Sequence, residues 1–167
     1  MKIAIVASSK DPAGVNIRNS LVELFEFEKI EEKFDNSEVF ECNEVPNTKI
    51  KLFLINDELV YSENIDKRIN ADFLIFASKH RSKENTLSFT VHSIGNWGKA
   101  NLGGENKKLC PSSAVTLKNM FLELNKTAQD SGYEITLEAT HHGPYVETPS
   151  VFVEIGSTEK EWNEKKN

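Results

Sequence analysis

The sequence predicts an α/β fold, a mixed and largely parallel sheet flanked by helices. Three observations predict it. Segments of strand character alternate along the chain with segments of helical period. Two strand segments, 2–7 and 72–77, are aliphatic or aromatic at successive positions, as strands covered on both faces are. The polar clusters Ser8-Ser9, Ser78 to Ser82, His141-His142-Gly143 and Gly156-Ser157-Thr158 each directly follow a strand segment, where open α/β sheets bind their ligands.

Taken in order, residues 2–7 read as a buried strand ending at Ser8-Ser9. Asp11-Pro12 then supplies an N-cap and a proline at the first helical position, and Ile17, Leu21, Leu24 and Phe25 recur at helical spacing, predicting a helix over 12–27. Residues 28–44 are acidic and fit no single period. Residues 49–55 and 59–61, separated by Asn56-Asp57-Glu58, predict a hairpin. A strand over 72–77 follows, and then 87–92, which alternates apolar residues with Ser88, Thr90 and His92. Ser112-Ser113 opens a helix carrying Leu117, Phe121, Leu124 and Ala128, with Gly132 as its stop. Residues 133–140 alternate again, and 150–155 form a last strand ended by Gly156. Thr158 and Glu161 make a capping box, so a helix of barely two turns begins there, with Trp162 as its one large apolar side chain.

The chain has 167 residues, of which 38% are apolar and 28% charged, enough for one packed domain and too apolar for a disordered one. No apolar run approaches the ~18 residues of a membrane span, and the first residues are too short an apolar stretch for a signal peptide. Cys42 and Cys110 lie far apart without metal spacing, which argues against a disulfide framework or thiolate cage and for a reducing cytosol. The net charge of −6 argues against indiscriminate nucleic-acid binding. Residues 79–108 reverse that sign, with Lys79, Arg81, Lys83, Lys99, Lys107 and Lys108 against Glu84 and Glu105, and they hold four of the eight glycines. The stretch is either a solvated loop or a basic flap that meets an anion such as phosphate.

The four histidines, His80, His92, His141 and His142, all stand at or beyond strand ends, where imidazole serves as ligand or proton carrier. On an extended strand His141 and His142 point to opposite faces, so they meet at one point only if the backbone turns, as the following Gly143-Pro144 allows. Glu154 interrupts the apolar run Val151-Phe152-Val153 and Ile155. A carboxylate held among apolar groups is expected to have a raised pKa, which suits acid–base chemistry. Lys107 and Lys108 precede the helix that opens at Ser112-Ser113, whose free N–H groups favour an anion. No Walker or dinucleotide glycine motif is present.

The blocks Ala7-Ser8-Ser9-Lys10-Asp11-Pro12, Ser78-Lys79-His80-Arg81-Ser82, Thr90-Val91-His92-Ser93-Ile94-Gly95-Asn96-Trp97, Thr140-His141-His142-Gly143-Pro144 and Gly156-Ser157-Thr158 through Trp162 together resemble the archaeal and plant type of D-aminoacyl-tRNA deacylase. The resemblance implies a fold similar to the phosphorylase and peptidyl-tRNA hydrolase type. It implies hydrolysis of the ester between a D-amino acid and the 3′ end of tRNA, in the cytoplasm, with zinc as cofactor and the tRNA acceptor end as partner. His80, His92, His141, His142 and Glu154 become the catalytic candidates, with His80, His141 and His142 as metal ligands. Ser8, Ser78, Thr140 and Gly143 at strand exits, and Arg81, Lys107 and Lys108 in the basic stretch, become the substrate-binding candidates. Family members continue past the Glu-Trp block, so residues 1–167 are expected to form one α/β domain, incomplete at the C-terminus relative to the family. A metal-dependent amidohydrolase or nucleoside phosphorylase on a related scaffold, and a non-catalytic RNA-binding fragment, are the alternatives.

Overall fold

The computed structural model describes residues 1–164. Along the chain, β1 (Lys2–Ser8) leads into α1 (Pro12–Leu24), followed by β2 (Glu28–Phe34), β3 (Ser37–Cys42), β4 (Lys49–Ile55) and β5 (Phe73–Lys79). Then come β6 (Ser88–His92), α2 (Ala114–Thr127), β7 (Glu134–Leu137), β8 (Ser150–Gly156) and α3 (Glu159–Asn163). The eight strands form one sheet in the order β2-β3-β4-β1-β5-β8-β6-β7. Its centre, β4-β1-β5-β8, is parallel, which is why the two doubly apolar runs fall there. The β2–β3 pair is antiparallel on one flank, while β6 runs antiparallel to β8 on the other and carries β7 parallel to itself.

Strand alternation divides the side chains between two layers. Val6, Phe76 and Phe152 face a core closed by Leu59, Ile65, Ile69, Ile94, Cys110 and Val146 from the connecting segments. Ala7 and Ala77 face α1, which comes so close that a Cβ on Gly14 would stand 2.5 Å from the Ala77 carbonyl oxygen. Asp11 caps α1 by accepting from Gly14 N at 3.0 Å, and Ser113 caps α2 by accepting from Thr116 N at 3.2 Å.

Three elements differ from expectation. The acidic stretch 28–44 is the β2–β3 hairpin. Asp35 and Asn36 supply positive φ at both turn positions (50° and 64°), and the charges pair across strands as Lys29–Glu38, Lys51–Glu32 and Lys49–Glu41. The hairpin expected over 49–61 is absent. Both edges of β4 are taken by β3 and β1, and Leu59–Tyr61 is a short helical turn that buries Leu59. The α3 helix, though brief, is held firmly. Trp162 is buried and donates from Nε1 to the His80 carbonyl, Asn16 Nδ2 donates to the Trp162 and Glu164 carbonyls, and the Thr158–Glu161 capping box closes. The rest of that expected helix, 165–167, lies outside the described residues.

Candidate active site

The site lies on the core face of the sheet, where β5, β8 and β6 run side by side. Register aligns Ser78, Glu154 and Thr90 in one row across the three strands, and His92 sits opposite Phe152 on the same face. Because β6 and β7 run against the parallel set, the chain leaves β7 at the far end from Ser8 and Ser78. Strand direction alone therefore does not carry His141-His142 to the other polar clusters. They reach the others by another route. His141 pairs beside Ile94, and His142 then takes a left-handed φ of 43°, which turns the backbone and brings its ring over Phe152.

That turn gathers three imidazoles. Ring centroids lie 4.2 Å apart for His92–His141, 4.9 Å for His92–His142 and 4.4 Å for His141–His142. In each ring Nδ1 faces a backbone carbonyl: Ser93 at 2.9 Å, Ala139 at 2.8 Å and Gly143 at 2.7 Å. A carbonyl oxygen only accepts, so each Nδ1 carries a proton, and in the neutral ring Nε2 is the nitrogen that presents a lone pair. One ring nitrogen from each of the three lies within 4.8 Å of the other two.

Glu154, 3% exposed, joins this group to a second one. Its Oε1 stands 3.8 Å from His92 Nε2 and 3.9 Å from His142 Nε2, beyond hydrogen-bonding reach. Its Oε2 receives Thr90 Oγ1 at 3.3 Å and faces His80 Nδ1 at 3.3 Å. Glu138 Oε2 faces the same His80 nitrogen at 3.4 Å. The His80 ring lies over Gly156, where a Cβ would stand 2.8 Å from its Cδ2.

Protonation follows from these contacts. Two carboxylates on Nδ1, Glu138 foremost and Glu154 with it, raise His80 to about 9 despite burial. Burial alone would raise Glu154, but hydrogen bonding from His80 outweighs it and holds the group at about 2. The raised carboxylate pKa expected from its apolar neighbours in sequence is thus reversed, because the sequence does not display the imidazoles that surround it. Glu138 is likewise opposed by burial and held below the usual carboxylate range by His80. Burial, reinforced by His92, lowers His142 to about 4, so that ring is neutral near pH 7.

A cleft of about 330 Å³ opens above these groups. It brings together Ser8, Ser78, His80, Arg81, His141, His142 and Glu154 of the expected residues, with His92 (0% exposed) beneath its floor. Lys107, Lys108 and Thr140 do not line it. Lys108 pairs with Glu105 at 2.7 Å and covers the Tyr145 ring. Gly143 is packed against backbone, since a Cβ there would stand 2.2 Å from Gly104 N and 2.5 Å from the Val60 carbonyl oxygen. Ser78 and Ser8 are engaged by Asp11 and by the Asp57 carbonyl. Lys10, Asp11, Glu138 and Thr90 complete the setting and were not singled out from sequence. Glu138 and Thr90 had one legible signal: each lies in the polar row of an alternating strand.

The donor set is suited to a cation. Two ring nitrogens, His92 Nε2 and His142 Nε2, face one carboxylate oxygen at 3.8 and 3.9 Å, and in the neutral rings both are acceptors. Among the described residues His92 Nε2 has no hydrogen-bond partner, although the side chain is fully buried. Acceptors arranged around one point in this way repel one another unless a positive charge lies between them. The Nδ1–carbonyl bonds are the outer support that metal-ligating imidazoles use. His80 spends its Nδ1 on carboxylates and belongs to the other group, so it is His92 that completes the imidazole trio.

A family model described as D-aminoacyl-tRNA deacylase matches residues 67–167. The D-aminoacyl-tRNA deacylase of Methanosarcina barkeri is 40% identical over 172 residues, covering 98% of this chain and 56% of that protein. The one from Pyrococcus horikoshii is 36% identical over 169 residues, covering 97% and 59%. The chain thus spans little more than half the length of the curated relatives it matches. A crystal structure of a conserved protein of unknown function superposes with a TM-score of 0.85 at 35% identity, over 99% of this chain and 58% of that one. A futalosine hydrolase mutant of Helicobacter pylori, at 9% identity and a TM-score of 0.53 over 93% of this chain and 86% of that one, shares the fold.

Proposed function

The chain belongs to the D-aminoacyl-tRNA deacylase family, and we propose on that premise that its cleft hydrolyses the ester between a D-amino acid and the 3′ end of a tRNA, work that belongs in the cytoplasm. The observation that carries the reading is the three-imidazole group, with His92 and His142 Nε2 beside Glu154, set in a cleft flanked by cations. His92, His141 and His142 would hold zinc, with Glu154 adjacent. A zinc ion bound there supplies positive charge that polarises an ester carbonyl and acidifies water.

The chain's own groups divide the remaining work. Arg81, Lys79 and Lys10 line the cleft and bind the phosphates of the substrate's 3′ end. Trp162 keeps two of them in place, lying under Lys79 Nζ at 5.7 Å and Arg81 at 5.9 Å. His80, charged near neutral pH, keeps its Nδ1 proton on the carboxylates and lines the cleft, which leaves Nε2–H for the substrate. As water adds to the ester carbonyl carbon and the acyl–oxygen bond breaks, His80 Nε2–H donates a proton to the ribose oxygen, and the proton lost by the water restores Nε2–H. Glu154, held at about 2, is a weak proton acceptor and acts by orienting His80 and by its negative charge. Glu138 is the second positioning residue on His80.

Incubation with D-tyrosyl-tRNA and L-tyrosyl-tRNA, with and without a chelator, tests the proposal. The expected result is release of the D-amino acid only, lost on chelation and restored by zinc. Equal release of both enantiomers, or none of either in the presence of zinc, contradicts it.

A further inference from the structure

The loop between β6 and α2 is the basic, glycine-rich stretch, and it is tightly held. Asn96 N donates to the Lys108 carbonyl and Lys107 N to the Gly98 carbonyl, each at 2.8 Å, which makes residues 95–98 and 107–109 a short hairpin. Ala100 N donates to Asn106 Oδ1 at 2.7 Å, and Asn96 Nδ2 to the Gly103 carbonyl at 3.0 Å. At its tip Gly143 N donates to the Leu102 carbonyl at 2.9 Å, and Leu102 lines the catalytic cleft. The same loop therefore walls the cleft and carries Trp97.

Trp97 is 72% exposed on this fixed support, whereas Trp162, the other tryptophan, is buried. Around it the charge is positive. Lys99 and Lys107 are exposed and form no ion pair among the described residues, while Glu105, the loop's one carboxylate, is neutralised by Lys108. In a chain of net charge −6 this combination is local. An exposed indole on a fixed backbone, with cations beside it, is the arrangement that single-stranded nucleic acid recognises, the base stacking on the ring and the backbone meeting the charges. Apolar partners would gain from the ring but not from the lysines.

We infer that Trp97 is a stacking platform for an unpaired base near the reacting 3′ end of the RNA, with Lys99 and Lys107 meeting its phosphates. The inference rests on the tRNA reading above and names where the RNA lies. Direct contact of Trp97 with a base requires no group of the catalytic cleft, so binding can be measured apart from turnover.

The test is fluorescence anisotropy with a labelled single-stranded RNA ending in CCA, and with a blunt RNA duplex, for wild type, Trp97→Ala, Trp97→Phe and the Lys99→Ala/Lys107→Ala pair across a salt series. Trp97→Ala should weaken binding of the single strand about tenfold or more with the slope of log Kd on log salt unchanged, since no charge is lost. Trp97→Phe should recover most of that loss, and the double lysine variant should flatten the slope. If Trp97→Ala binds the single strand as wild type does, or loses equal affinity for the blunt duplex, the platform is overturned while the tRNA reading stands. Wild type that binds neither RNA overturns both.

Discussion

His80 offers the most quantitative check on the site. In the folded chain two carboxylates raise it from 6.5 to about 9, and its side chain is 14% exposed, so solvent screens the contacts little. That gap corresponds to about 3 kcal/mol, counted once for the interaction although the lowered values of Glu138 and Glu154 report the same contacts. The fold binds this proton more tightly than the unfolded chain does. The stabilisation is therefore complete below pH 6.5 and is lost as pH rises through about 9. Urea unfolding of wild type and His80→Gln, with chelator present and at about pH 6 and about pH 10, isolates it. Wild type should lose about 3 kcal/mol more than the variant over that interval. The variant is expected to be less stable throughout, because two carboxylates lose their partner, but flatter with pH. Parallel curves for the two proteins would refute the assignment of His80 as a carboxylate-held cation.

Other expectations concern neighbouring groups. His142, lowered from 6.5 to about 4, stabilises the fold in its neutral form, so wild type should lose stability as pH falls from 6.5 toward 4, by up to about 3 kcal/mol relative to His142→Gln. Equal acid sensitivity in urea titrations would contradict this. Gly156→Ala brings a Cβ to 2.8 Å from His80 Cδ2 and 2.7 Å from Ser88 Oγ; it should cost about 1–3 kcal/mol of stability and lower turnover through displacement of His80. Unfolding and deacylation assays on the same preparation check both. Asp11 accepts from Gly14 N, Ser78 Oγ and Lys79 N, each at 3.0 Å, so Asp11→Ala should cost about 2–4 kcal/mol, read as a fall in Tm.

What the sequence displayed and what it hid follow from how far each residue's partners lie along the chain. The parallel centre was legible because strands covered on both faces must be apolar along most of their length, as β1 and β5 are. The β2–β3 hairpin was not, because an edge ribbon whose strands pair Lys with Glu looks like solvated acidic sequence until the Asp35-Asn36 turn is seen to reverse it. Residues 49–55 showed their strand character but not their neighbours, and β4 already had two. At the site, all four histidines and Glu154 were visible, since an imidazole at a strand exit and a carboxylate in an apolar run are local anomalies. Their division into a trio and a separate His80 was not, because it depends on the left-handed turn at His142 and on the antiparallel course of β6. Glu138 escaped notice because a polar residue in an alternating row is ordinarily a solvated one.

The most direct test of the account is zinc binding by the purified chain, measured by equilibrium dialysis for wild type, His92→Ala and His80→Gln. Nε2 lone pairs on His92, His141 and His142 predict that wild type and His80→Gln each retain zinc, at about one ion per chain, and that His92→Ala binds it about a hundredfold more weakly or worse. Zinc retained by His92→Ala and lost from His80→Gln would contradict the account.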